Sequence, residues 1–163
     1  MEKEVGFMKM LFRQRFFSWF DSYDIYGEDG STMFTVEGKL SLGHKLHILD
    51  KNGNHIATLK ERVLSLFHTF DIYIGEEHIG EIVKEFSLFR PSFSVDFMGW
   101  TVDGDFFEWN YDILEGSKPI ASVSKELFNF TDTYSIEVNI PADALPALMV
   151  VLAIDAVKCS QRN

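Results

Sequence analysis

The segment from Ala144 to Val157 constrains the fold more than any other part of this chain. Read at helical spacing, Leu145, Leu148, Met149 and Leu152 line one side, while Ala147, Val150, Val151, Ile154 and Val157 line the other. A helix that is apolar all round must be buried on every side, in protein or in lipid. Its span of about 14 residues, or roughly 21 Å, falls short of the ~20 residues a bilayer needs. Asp155 interrupts the run, and no stop-transfer cluster follows it. The expectation is a central core helix over 143–158, enclosed by protein rather than spanning a membrane.

What encloses it must come from the residues upstream, and these read as short β-strands. Turn signals recur at roughly the 8–12-residue spacing of sandwiches and barrels. They are Gly27-Glu-Asp-Gly30, Asp50-Lys-Asn-Gly-Asn54, Gly75-Glu-Glu77, Asp103-Gly-Asp105 and Glu115-Gly-Ser-Lys118. Asn-Gly and Asp-Gly supply the positive-φ positions of tight hairpins. Between the turns, apolar residues alternate with polar ones. Leu46, Ile48 and Ile56 point one way against Lys45, His47 and Lys51; Phe70, Ile72 and Ile74 alternate with Asp71 and Tyr73; Ile136 and Val138 alternate with Ser135 and Glu137. The pattern predicts about twelve strands from Met8 to Val138, among them His55–Leu59, Ser92–Asp96, Phe107–Leu114 and Thr133–Val138. So many short strands curl or split rather than lie flat, and closure removes their unpaired edges. A ring of that size is too wide for strand side chains alone to fill, since ~8 strands already suffice for that. The predicted fold is therefore mainly β: a closed antiparallel barrel plugged by the C-terminal helix.

Length and composition fit one globular domain over 1–163, with no polar linker dividing it. The opening residues lack the basic start and continuous apolar run of a signal peptide. A single cysteine, Cys159, leaves no intramolecular disulfide and suits a reducing compartment, so a cytoplasmic protein, at most peripheral to a membrane, is expected. The formal charge of −10 argues against a nucleic-acid binder. That charge is uneven: residues 1–62 carry nine Lys/Arg and nine Asp/Glu, whereas residues 63–163 carry six and sixteen. Lys39, Lys45, Lys51, Lys60 and Arg62, with His44, His47 and His55 among them, form either a small cationic patch or an ordinary solvated surface.

Several stretches resemble the LURP-one-related family in order and spacing. Phe20-Asp-Ser-Tyr-Asp-Ile-Tyr-Gly-Glu-Asp-Gly30 and Phe34-Thr-Val-Glu-Gly-Lys39 are similar to its opening. Leu46-His-Ile-Leu-Asp-Lys-Asn-Gly53 and Ile56-Ala-Thr-Leu-Lys-Glu61 continue it; Tyr111-Asp-Ile-Leu-Glu-Gly116 and Ile120-Ala-Ser-Val-Ser-Lys125 resemble its later half. The resemblance covers nearly the whole chain. It implies the fold shared by tubby C-terminal domains and phospholipid scramblases, a barrel of about twelve strands threaded by a hydrophobic helix. Tubby relatives bind phosphoinositides through basic residues, and scramblases are associated with bilayers and calcium. No tubby phosphoinositide motif is present to carry over, and this acidic chain departs from that basic surface. Fold alone does not transfer activity.

The residues themselves offer little chemistry. His44 and His47 lack the further ligands of a zinc set. Asp50, Asn52, Asn54 and Glu61 fall at positions 1, 3, 5 and 12 of a calcium loop, but glycine stands at the fourth position instead of the sixth, so a hairpin turn is expected. Asp103, Asp105 and Glu108 mark a further acidic turn. No nucleophile elbow, phosphate-cradling loop or dinucleotide fingerprint occurs. Asp155 is either a buried carboxyl with an unusual titration or a last-turn residue near solvent and Lys158. No cofactor, metal or catalytic set is expected. The leading expectation is a non-enzymatic binding or scaffold protein. The second is a peripheral protein recognising anionic lipid headgroups through Arg13, Arg15, Lys39, Lys45, Lys60 or Arg62. The third is scramblase-like lipid handling. The stretch Phe12-Arg-Gln-Arg-Phe-Phe-Ser-Trp-Phe20 reads either as lipid-facing or as a first strand with its connection.

Overall fold

The computed structural model describes residues 6–13, 22–85, 92–96, 98–106, 108–126 and 133–160. Twelve strands follow in order: β1 (Met8–Arg13), β2 (Ser22–Gly27), β3 (Thr32–Gly38), β4 (Lys45–Asp50), β5 (His55–Glu61) and β6 (Thr69–Ile74), then β7 (Glu77–Glu85), β8 (Ser92–Val95), β9 (Trp100–Asp105), β10 (Asn110–Glu115), β11 (Lys118–Lys125) and β12 (Thr133–Val138). Each pairs antiparallel with its sequence neighbours, and β1 pairs with β12 from Met8↔Val138 to Arg13↔Thr133. The barrel is closed. A short 3-10 turn, Pro141–Asp143, leads into the helix α1 (Ala144–Ser160).

Burial places α1 in the lumen. From Ala147 to Ile154 no residue is more than 2% exposed. Eight consecutive helical residues point in every direction around the axis. A helix resting on the outer wall would show one side to water. The wall side chains that meet it include Met10, Ile25, Val36, Ile48, Leu59, Ile72, Ile82, Ile113 and Ile136, all buried. Of the helix residues expected in the core, Leu148, Met149, Leu152 and Ile154 are buried, whereas Leu145 is only partly so, because it sits in the first turn.

Four local expectations are corrected. Asp103-Gly-Asp105 is no turn: it lies inside β9, and the reversal comes between β9 and β10, where Trp109 takes a left-handed backbone with φ 54°. The strand expected over Phe107–Leu114 starts at Asn110, and Phe107 lies outside the described residues. Trp100 and Val102 face inward while Thr101 and Asp103 are exposed, a strand alternation that the acidic residues obscure in the sequence. Ile56 is only partly buried, packed against the core instead of inside it. A register shift in the β4–β5 pairing leaves Ala57 and Leu59 buried instead. Ile74, the last residue of β6 before a tight turn, is 38% exposed.

Because adjacent strands alternate in direction, the connections 39–44 (β3 to β4) and 62–68 (β5 to β6) leave the same end of the barrel. The turns 51–54, 75–76 and 116–117 lie at the opposite end. The helix returns from β12 towards the loop end, where Lys158 is buried with its Nζ 4.3 Å from the Trp109 ring centroid. Trp109 in turn stacks on Tyr134 at 4.1 Å. Lys158 is thus buried and not solvated, and Asp155 is itself partly buried.

Candidate functional site

The loops 39–44 and 62–68 lie side by side. The Glu61 amide donates to the His44 carbonyl at 2.7 Å. Gly43, at φ +83°, leaves room for Val63: a Cβ there would stand 3.1 Å from Val63 Cγ2. Within the second loop the Arg62 amide donates to the Thr69 carbonyl at 2.9 Å, and the Thr69 hydroxyl donates to the Phe67 carbonyl at 3.1 Å. Closing the loop this way turns its apolar residues outward. Leu40 is 87% exposed, Leu42 82%, Val63 56%, Leu64 100%, Leu66 90% and Phe67 43%. Among the described residues, six of the nine exposed large apolar side chains therefore belong to these two neighbouring loops. Single exposed apolar residues are ordinary; a group of this kind marks an interaction surface.

One carboxylate ties the loops together at their base. Glu61, at the end of β5, accepts from the His44 amide at 3.1 Å. The His44 Nδ1 lies 2.5 Å from the same oxygen, and the His68 Nδ1 is 3.0 Å from the other. Burial pushes the Glu61 carboxyl up, but the His44 amide, the His68 ring and the charge on His44 outweigh it and hold it below the ordinary value of 4.5. Below the loops on the outer wall, Arg62 donates to Asp71 through Nε at 2.9 Å and Nη2 at 2.6 Å, and to Glu81 at 2.5 Å. His78 Nε2 lies 2.9 Å from Asp71. The Arg62 hydrogen bonds hold Asp71 below the ordinary 3.8 despite partial burial. Further round, His47 stacks on His55 with centroids 4.0 Å apart, and the His55 Nε2 donates to the Ala57 carbonyl at 2.9 Å. Burial, then the charges of His55, Lys39 and Lys45, pushes His47 below the usual imidazole value.

The six basic residues singled out from the sequence meet different fates. Lys39 is engaged with Glu37 at 2.7 Å, and Arg62 with its two carboxylates. Lys45 and Lys60 stand directly opposite one another across β4 and β5. Among the described residues neither makes an ion pair. Arg15 and the side chain of Arg13 lie outside the described residues. The Asp50 turn is a hairpin: Asp50 Oδ1 accepts from the amides of Asn52 and Asn54 at 2.8 and 2.9 Å. Glu61, the twelfth position of the supposed calcium loop, is at the far end of β5 and is held by histidines.

The folded-state shifts fix an acid limit. Glu61 and Asp71 bind protons more weakly folded than unfolded. Their contribution to stability is present above their ordinary values, 4.5 and 3.8, and is lost as pH falls through the lower folded ones. Melting temperature is expected to decline below about pH 4.5, and Asp71→Asn to flatten that decline. His47 adds a shallower loss below about pH 6.5, since its folded form resists protonation. A thermal scan with constant melting temperature from neutral to about pH 3 would contradict both assignments.

Closure by β1 and β12 around a hydrophobic helix is the architecture that the family resemblance implies, and comparison with known proteins decides the kinship. The family model described as LURP-one-related matches residues 8–155. The chain belongs to the LURP-one-related family. It is also similar to the Bacillus subtilis (strain 168) protein named Uncharacterized protein YxjI, 27% identical over 151 residues that cover 92% of this chain and 93% of that one. The match runs from the first barrel strand into α1, so the LURP-one-related barrel includes its plug. Among the described residues no helix is long and apolar enough to cross a membrane.

The apolar loop tips are what sequence reasoning missed. Leu40-Ser-Leu42 and Val63-Leu-Ser-Leu-Phe67 are apolar residues outside every predicted strand. Leucines in connections, where polar turn residues are the norm, were the available signal.

Proposed function

We propose that this LURP-one-related barrel is a non-enzymatic binding protein that docks on anionic membrane surfaces with the loops 39–44 and 62–68. The observation that carries the reading is the group of exposed side chains Leu40, Leu42, Leu64 and Leu66 directly above the Lys45/Lys60 pair. Interfacial binding strength grows with buried apolar area and with attraction between basic residues and anionic lipid. Shape favours lipid over a protein partner. Leu64 and Leu66 are almost wholly in solvent, as convex points rather than as parts of a cleft. A rigid protein partner needs a complementary hollow for such points, whereas fluid acyl chains close around them. Lys45 and Lys60 sit at the strand ends just below, at headgroup depth. The lowered Glu61 and Asp71 carboxyls are accounted for by their contacts with His44, His68, Arg62 and His78, which favours a structural role for these two.

Co-sedimentation with phosphatidylcholine vesicles, with and without phosphatidylserine, tests this. Binding is expected only with the anionic lipid, and to weaken as salt rises above about 0.1 M. Leu64→Asp with Leu66→Asp should weaken partition by about tenfold or more at unchanged melting temperature, because both side chains lie in water in the free protein. Lys45→Glu with Lys60→Glu should flatten the salt dependence. Absence of binding to anionic vesicles at low salt, or full binding by the double aspartate variant, would overturn the assignment.

A further inference from the structure

The chain has five histidines, and all of them lie between His44 and His78, on β4 to β7, the loops joining them or the loop that enters β4. None lies on the other two-thirds of the barrel. Two of them, His44 and His68, share the Glu61 carboxylate, and each belongs to one of the two apolar loops. The charged groups around them come from every neighbouring element. β3 and its exit bring Glu37 and Lys39, β4 brings Lys45 and His47, and β5 brings His55 and Lys60. Arg62 follows β5, Asp71 comes from β6, and His78, Glu81 and Lys84 from β7, where the Lys84 amide donates to the His68 carbonyl at 2.9 Å. Lys39 and Arg62 are balanced by carboxylates, so with neutral imidazoles the sector has little net charge to offer an anionic surface.

Resting on the membrane-docking reading above, we infer that docking is proton-gated: protonation of His44 and His68 turns the base of the apolar loops cationic and tightens the hold on anionic bilayers in mildly acidic surroundings. Imidazole is the side chain whose charge ordinarily changes between pH 5 and 8. Two effects act together. Each new positive charge close to an anionic surface raises partition by roughly fivefold. The contacts of both rings with the Glu61 carboxylate also become ion pairs and hold the two loops as one unit. The acid limit set by Glu61 and Asp71 lies below this window, so the barrel remains folded while the gate operates.

The test is partition of the whole chain onto phosphatidylserine-containing vesicles at about pH 7.4 and about pH 5.5, with melting temperatures recorded at both. For the unmodified protein a gain of at least about tenfold on acidification is expected. His44→Gln with His68→Gln should lose most of that gain, read as the ratio of partition at the two pH values. His68→Gln alone, at a partly exposed loop position, should lose about fivefold of it and guards against misfolding of the pair. A gain that survives in both variants would overturn the inference, since it would then come from titration of the acidic body. Equal binding at both pH values would overturn the gate and leave the docking reading standing. Binding at neither would remove both.

Discussion

A chain ending at Pro141 is expected to show no cooperative melt. That truncation removes α1, whose Leu148, Met149, Val150, Val151, Leu152, Ile154 and Val157 are each at most 3% exposed. At roughly 1.5–3 kcal/mol each, their burial contributes about 10–20 kcal/mol gross, against a typical net stability of ~5–15 kcal/mol. The loss is compounded at the wall. Ile25, Ile48, Ile72, Ile113 and Ile136 would face a water-filled lumen or a collapsed, strained ring. Far-ultraviolet circular dichroism during urea titration reads the outcome. A truncated protein with a sharp unfolding transition would show that the barrel stands without its plug. A milder version, Leu148→Ala, should cost about 2–5 kcal/mol in the same assay.

Gly104→Ala is expected to be among the most damaging single substitutions in the sheet. A Cβ there would come within 2.5 Å of the Asn110 carbonyl oxygen and 2.6 Å of the Tyr111 Cα. Both obstacles are main chain on the paired strand β10, so no side-chain rotation relieves them. The backbone at φ +133° adds a conformational cost. Overpacking at ~1–3 kcal/mol and strain at ~1–3 kcal/mol together give about 2–6 kcal/mol. Gly53→Ala is the control. Its φ of +84° is likewise left-handed, but nothing lies within 4 Å, so its cost should stay near ~1–2 kcal/mol. Equal losses at the two positions, measured by urea denaturation, would mean that close strand approach is not what Gly104 provides.

Gly104 also shows why one turn was misplaced. Asp-Gly is read as a reversal because glycine supplies positive φ, yet glycine is equally required where two backbones come close inside a sheet. Only the partner strand distinguishes these uses, and Tyr111 is remote from view in a local reading. The neighbouring reversal uses Trp109 at φ 54°, a residue type that no turn rule anticipates. Its left-handed backbone is accompanied by tertiary contacts, with Tyr134 stacked on the indole and the Lys158 ammonium over it.

The docking surface was legible by halves. Lys45 and Lys60 were visible as part of a basic stretch, since charge is a property of composition. That they face each other across two strands, while Lys39 and Arg62 are tied to carboxylates, is a matter of register and loop closure. The apolar tips went unseen because leucine and phenylalanine in a sequence are read as core by default, and exposure is decided by what the rest of the chain leaves uncovered.

The sequence by itself determined the enclosure. A segment apolar on every side admits no arrangement in water except full burial, and short alternating strands with hairpin turns admit closure around it; both follow from near-neighbour periodicity. Tertiary structure alone decided which residues remain outside. The juxtaposition of the loops 39–44 and 62–68, and the sharing of Glu61 by His44 and His68, arise from pairing between segments distant along the chain. Such pairing depends on the summed packing of all twelve strands, which no local pattern encodes.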